Sequence, residues 1–94
     1  MKPLRVAVVG CGKVAGIHAE ALAAVPEAEF VAACDISAER ASAFAAKHRV
    51  RPFTDLAAML RDAAPEAIII GTPHPLHAEA AVRAAEAGVH VLVE

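Results

Sequence analysis

Residues 67–70 read Ala-Ile-Ile-Ile, four apolar positions in a row with nothing polar to turn toward water. A strand with one solvated face alternates apolar and polar residues, so consecutive apolar residues mark a strand covered on both sides, as in parallel sheets. This run extends over "AIIIGT" (67–72), and similar ones stand at "RVAVVG" (5–10), "EFVAACD" (29–35) and "VHVLVE" (89–94), with a short "RPF" at 51–53. Between them apolar residues return at helical spacing: Val14, Ile17, Ala21, Leu22 and Val25; Ala41, Phe44, Ala45 and His48; Leu56, Met59 and Leu60; Leu76, Ala80, Ala84 and Ala87. Each set predicts a helix laying one face on the sheet. Ser37 and Thr54 stand where N-caps belong, Pro75 at a first helical position and Gly88 at a helix end. Strict alternation of strand and helix predicts an α/β fold in one domain, residues 1–94. This is a doubly wound parallel Rossmann-type sheet of five strands, order 3-2-1-4-5, with right-handed crossovers and helices on both faces.

Composition agrees. Hydrophobic residues make up 57% of the 94, yet only three are aromatic, so Ala, Val, Ile and Leu must build the core and the layers must approach closely. A formal net charge of −2 with scattered basic residues gives no bulk attraction to nucleic acid or anionic membrane. The short apolar runs contain no readable signal peptide or spanning helix, so the expected location is cytoplasmic. Cys11 and Cys34 are too few for a disulfide framework and lack metal-ligand spacing; they read as small buried residues.

In the order 3-2-1-4-5 the sheet reverses direction between strands 1 and 4, and ligands of such sheets bind at the carboxyl ends of the strands beside that reversal. The loops there run from Gly10 to Gly16 and from Gly71 to Pro75. Gly10 and Gly12 leave backbone N–H groups and a positive helix end open to a pyrophosphate, with the turn "GCGKVA" completed by Lys13, Val14 and Ala15. Ala15 takes the third fingerprint position, where only close helix–strand packing is needed. A glycine turn of this kind also occurs where nothing binds. Asp35 adds weight, because it ends the second strand about twenty residues on, where an acid accepts both hydroxyls of an adenosine ribose. Ile36 follows it beside the adenosine. A hydrogen bond to a carboxylate is worth about 1.5–3 kcal/mol. A 2′-phosphate about 4 Å away would be repelled by about 4 kcal/mol per unit charge at an effective dielectric of 20. The expected cofactor is therefore NAD, with NADP the alternative, because Arg40 one turn further is placed to reach a 2′-phosphate, lie over the adenine, or simply remain in solvent.

The order "VVGCGKVAGIHAEAL", "VAACDISAERASAFA", "AIIIGTPHPLHAEAAVRAAEAGVHVLVE" resembles the nucleotide-binding domain of the Gfo/Idh/MocA family, the glucose-fructose oxidoreductase and inositol dehydrogenase group. Thr72, Pro73 and His77 carry its Thr-Pro-x-x-x-His segment, and the resemblance implies that Thr-Pro lines the nicotinamide side of the cofactor. It also implies that Glu94 lies near the nicotinamide ribose and opens a Glu-Lys-Pro motif whose lysine is catalytic, followed by a second domain with a catalytic histidine and the substrate pocket. His74 stands where the family often has Asn. His77 is expected to fix the loop, and His18 to be structural; His48 and His90 carry no functional pattern. His74 and His77 alone are too few ligands for a metal.

These readings make the chain the dinucleotide-binding module of an NAD(P)-dependent oxidoreductase acting on a sugar, polyol or related hydroxyl compound. Without the lysine and the substrate domain it is expected to bind cofactor without turnover. A non-catalytic nucleotide-binding or scaffold module and an S-adenosylmethionine-binding domain are the alternatives. The last strand, apolar and at a sheet edge, suggests a homodimer through that edge.

Overall fold

The computed structural model describes the backbone of residues 2–71 and 74–93 and, within them, every side chain except those of 13–15, 74–78 and 93. Strands and helices alternate as β1 (Leu4–Val9), α1 (Lys13–Ala23), β2 (Ala28–Cys34), α2 (Ala38–His48), β3 (Arg51–Phe53), α3 (Leu56–Asp62), β4 (Ala67–Ile70), α4 (His74–Glu86) and β5 (His90–Val93). Every neighbouring pair is parallel and the order is β3-β2-β1-β4-β5, as the alternation predicts.

Successive strand residues point to opposite faces, and the core splits accordingly. Ala7, Val9, Ala32, Cys34, Ile68 and Ile70 pack against Met59 of α3 and against Ala80 and Ala84 of α4. Val8 and Ala33 pack on the other side against Ala19 of α1 and Phe44 of α2. Two helices per face is what right-handed crossovers require when β1 sits in the middle of the order. Ala7, Ala32, Ala33 and Ala84 are fully buried, so the layers meet through methyl groups.

Four local expectations need correction. The first strand ends at Val9, the second at Cys34 and the fourth at Ile70, and Val89 precedes β5; Gly10, Asp35 and Gly71 each still donate an N–H to the neighbouring strand, and Val89 instead closes the end of α4. On α1 the expected stripe is not the buried one: Ile17 is 67% exposed, Ala21 is exposed, and Val25 lies beyond the helix. The residue under the helix is Ala19, flanked by half-buried Gly16 and Leu22. A helix that springs from a tight turn at the end of β1 lies close to the sheet, and a branched side chain does not fit beneath it. The cap of α3 is Asp55, whose carboxylate accepts the Ala58 N–H at 3.2 Å, rather than Thr54; Ser37 caps α2 as expected, accepting the Arg40 N–H at 3.2 Å. Helix α4 begins at His74, one residue before Pro75, and stops at Glu86, which leaves Ala87 exposed.

Helices α2 and α4 end alike. The Val50 N–H returns to the Ala45 carbonyl (3.0 Å) and the Val89 N–H to the Ala84 carbonyl (2.9 Å), each across one left-handed residue. In α4 that residue is Gly88 (φ +75°), but in α2 it is Arg49 (φ +58°). Both reversals launch a strand directly.

Candidate functional site

The carboxyl ends of β1 and β4 meet at Val9, which pairs with Cys34 on one side and Ile70 on the other. The Gly10 N–H donates to the Cys34 carbonyl (2.7 Å) and the Gly71 N–H to the Val9 carbonyl (2.8 Å). Two loops far apart in sequence thus leave adjacent strands and diverge, which is the crevice the topology demands. Gly10 has φ +94°, a conformation a side chain would strain. Gly12 is different: it is the N-cap of α1 at φ −88°, which any residue adopts. Among the described residues a Cβ on Gly12 would meet nothing within 4 Å beyond its chain neighbours, and no side chain caps the helix. The internal packing therefore does not require this glycine. What its missing side chain leaves clear is the space over the N–H groups of the first turn, the kind of place that can accept an anion.

Asp35 lies just past β2 and is 7% exposed. Its Oδ2 accepts the Cys11 N–H from the glycine turn (2.8 Å), and its Oδ1 accepts the Ser37 N–H (2.8 Å). The Arg40 guanidinium reaches Oδ1 through Nε (3.3 Å) and Nη2 (3.1 Å). Burial pushes this carboxyl up, but the Ser37 and Cys11 N–H groups and then Arg40 outweigh it and hold Asp35 below the ordinary carboxylate value. It is a fixed anion that ties the turn after β1 to the turn after β2. Arg40, 59% exposed, is neither free in solvent nor turned outward; it is the counter-ion of the acid.

Beside this pair lies a cavity of about 190 Å³. Val9, Cys34, Leu56 and Ala80 form apolar wall, Ile36 stands at its edge 79% exposed, and Thr54, Asp55, Glu79 and Arg83 add polar rim. An apolar slot with a polar rim, lined by the residues on either side of Asp35, has the shape and chemistry to take a flat heteroaromatic group. No motif marks the contributions of Thr54, Asp55, Glu79, Ala80 and Arg83; only the folded crossover brings α3 and α4 over the strand ends. A larger groove of about 410 Å³ between α3 and α4 touches neither the glycine turn nor Asp35.

The cysteines are chemically quiet. Burial first, then the Asp35 charge, pushes the Cys11 thiol to about 12, and burial with Asp35 and Asp55 takes Cys34 to about 11, so neither is a thiolate near neutral pH. Cys34 packs with the α3/α4 layer and half-buried Cys11 with the α1/α2 layer, on opposite faces of the sheet.

Of the residues singled out in the sequence, Gly10, Gly12, Asp35, Ile36 and Arg40 come together at the crevice. Lys13, Val14 and Ala15 form the first turn of α1 and His74 and His77 lie in the first turns of α4, but their side chains lie outside the described residues. Thr72, Pro73 and Glu94 lie outside them altogether. Among the described residues no helix is long and apolar enough to cross a membrane.

The chain matches the family model of the Gfo/Idh/MocA oxidoreductases, described as an oxidoreductase family with an NAD-binding Rossmann fold, over residues 4–94. It is 37% identical to a D-glucoside 3-dehydrogenase of Escherichia coli across 98% of this chain and 27% of that protein. Among solved structures it superposes with a TM-score of 0.93 on the WlbA dehydrogenase of Bordetella pertussis in complex with NADH and UDP-GlcNAcA, at 35% identity, covering 98% of this chain and 29% of that one. A 3-ketoreductase of Actinomadura kijaniata in complex with TDP-benzene and NADP gives a TM-score of 0.89 at 34% identity, covering 98% and 29%. This chain spans under a third of the length of these relatives. Sequence, topology and the acid-and-glycine crevice agree: the chain belongs to the Gfo/Idh/MocA oxidoreductase family and is its NAD(P)-binding Rossmann module.

Proposed function

We propose that this chain holds the dinucleotide for an oxidoreductase that moves hydride between the nicotinamide and a secondary alcohol of a sugar, polyol or related hydroxyl compound. The observation that carries the reading is the buried Asp35 carboxylate fixed to the Cys11 N–H, because it locks a ribose acceptor and a pyrophosphate cradle into one frame. In this reading Gly10, Gly12, Lys13, Val14 and Ala15 take the pyrophosphate. Asp35, Ile36 and Arg40 take the adenosine, and Thr72, Pro73, His74, His77 and Glu94 serve the nicotinamide half. The nicotinamide, when bound, supplies the hydride chemistry. This chain's part is to bind and orient it, and the base that receives the hydroxyl proton comes from outside these 94 residues. The substrate class rests on the relatives, one named as a glucoside dehydrogenase.

The chain by itself is proposed to bind without turnover and to act in the cytoplasm, to which two unpaired cysteines are suited. It is also proposed to pair with a second copy through β5. Calorimetric titration with NADH and, separately, S-adenosylmethionine tests the central claim. NADH is expected to bind and S-adenosylmethionine not. Asp35→Ala should weaken NADH about tenfold to a hundredfold, the equivalent of about 1.5–3 kcal/mol for a hydrogen bond to a charged group. Tighter binding of S-adenosylmethionine would transfer the site to methyl-group chemistry.

A further inference from the structure

The groove between α3 and α4 lies apart from the crevice and shares only Arg83 with the cavity beside Asp35. Each wall turns an i, i+3, i+4 triplet toward it: Ala57, Leu60 and Arg61 from α3, and Arg83, Glu86 and Ala87 from α4 and its end. Two kinds of surface result. Ala57, Leu60 and Ala87 are apolar, and Val82, 57% exposed, continues that character on the adjoining surface of α4. Arg61 and Arg83 bring one guanidinium from each wall, against the single carboxylate of Glu86. On a chain of net charge −2 this is a local excess of positive charge.

Neither guanidinium is used up by its partner. Arg83 reaches Glu79 through Nε, at 3.3 Å, and Arg61 reaches its neighbour Asp62 through Nε at 2.9 Å and Nη2 at 3.4 Å. Both pairs are exposed, and exposed pairs are weak. A guanidinium has five N–H donors, so each arginine keeps donors for a second acceptor. The groove, about 410 Å³, has the size of a small-molecule site. A bare anion would leave its apolar surface uncovered, and a neutral apolar molecule would leave its charges unmet. A carboxylate or phosphate head on an apolar body uses both.

The geometry points to a second ligand site on this chain, a groove for a small amphiphilic acid whose head meets Arg61 and Arg83 and whose body covers Ala57, Leu60 and Ala87. Glu86 is the opposing element, since it repels the head and limits the affinity. This site goes beyond the dinucleotide reading and does not depend on it, because Ala57, Leu60, Arg61 and Ala87 take no part in the crevice.

The test titrates the 94-residue chain with octanoate, octyl phosphate, acetate and octanol, followed by amide shifts in NMR spectra. Octanoate and octyl phosphate are expected to give saturable shifts concentrated at residues 57–61 and 82–87, and the tighter of the two identifies the preferred head. Acetate, which lacks the body, and octanol, which lacks the head, should bind about tenfold more weakly or worse. Arg61→Gln and Arg83→Gln should each weaken octanoate about threefold, the scale of an exposed charge pair. Glu86→Gln should tighten it, a gain that misfolding does not produce. Added salt should weaken octanoate and leave octanol unchanged. All three substituted side chains are exposed, so melting curves by circular dichroism are expected to match the wild type. Octanol or acetate binding as tightly as octanoate, shifts scattered over the surface, or octanoate affinity unchanged in all three variants would overturn the site. The absence of any saturable shift in the folded wild type would overturn it too. NADH binding is read in its own titration, so this site and the dinucleotide site stand or fall separately.

Discussion

Asp35 has the most to lose from a change of protonation. Its carboxyl sits below the ordinary aspartate value of about 3.9, so the folded state holds its proton less tightly than the unfolded chain. The stability this contributes is present above about pH 4 and is lost as the pH falls through the folded value. Urea unfolding between pH 6 and pH 2 should show an acid loss of stability that is shallower in Asp35→Asn. At pH 7 the same variant should be less stable by about 1–3 kcal/mol, because its amide cannot satisfy both buried N–H groups with acceptor oxygens. Asp35 is legible as a ribose acceptor from its place after a strand and a glycine turn. Its second role, accepting the Cys11 N–H, is not, since nothing in the identity of Cys11 announces where its backbone points. The same limit hides Arg40 as a counter-ion: five residues on, it shares a face with nothing until the turn after β2 folds back.

At the scale of elements, the described helices and every described strand except the short Arg51–Phe53 follow from apolar runs and spacing, and errors collect where size outweighs hydrophobicity. Ile17 reads as the anchor of α1 because it is large and apolar, but the glycine turn brings the helix so near the sheet that Ala19 fits beneath it and Ile17 does not. The strip between β2 and α2 shows the converse. Phe30, Phe44 and His48 form one cluster, with the Phe44 and His48 ring centroids 4.5 Å apart and the two phenyl rings edge to face at 6.1 Å. His48 keeps helical register as expected, yet its Nε2 is buried without a hydrogen-bond partner among the described residues. Replacing it with leucine keeps the packing and removes the unsatisfied atom, so His48→Leu should raise stability by about 1 kcal/mol, read as a higher urea midpoint at unchanged slope.

For the molecule as a whole, the two sheet edges are unequal. β3 is three residues long and contains Pro52, which has no N–H to offer a ladder. Among the described residues β5 has a strand neighbour on one side only, with Leu92 59% exposed and Val91 packed inward against the α3/α4 layer. An antiparallel pairing of two β5 strands about a twofold axis would merge two sheets and cover Leu92. Sedimentation over a wide concentration range should therefore show reversible association that Val91→Pro abolishes and Leu92→Lys weakens. A wild type that stays monomeric at millimolar concentration would exclude the pairing. The strand order that creates this edge is the one expected from a doubly wound alternation, whereas the crevice rim of Thr54, Asp55, Glu79 and Arg83 has no such signal in the sequence. Those residues converge only because the crossover through α3 carries the chain from β3 back across β2 and β1.

The carboxylate that joins the two turns has a consequence for amide exchange. Loop N–H groups ordinarily swap with solvent deuterium quickly, yet those of Cys11 and Ser37 are each held at 2.8 Å by an acceptor that is itself 93% buried. Exchange at these two positions should be slowed toward the rates of strand amides in the free chain, and both should speed up together in Asp35→Asn. Two loops on different crossovers would then open as one cooperative unit, with a single side chain as their latch.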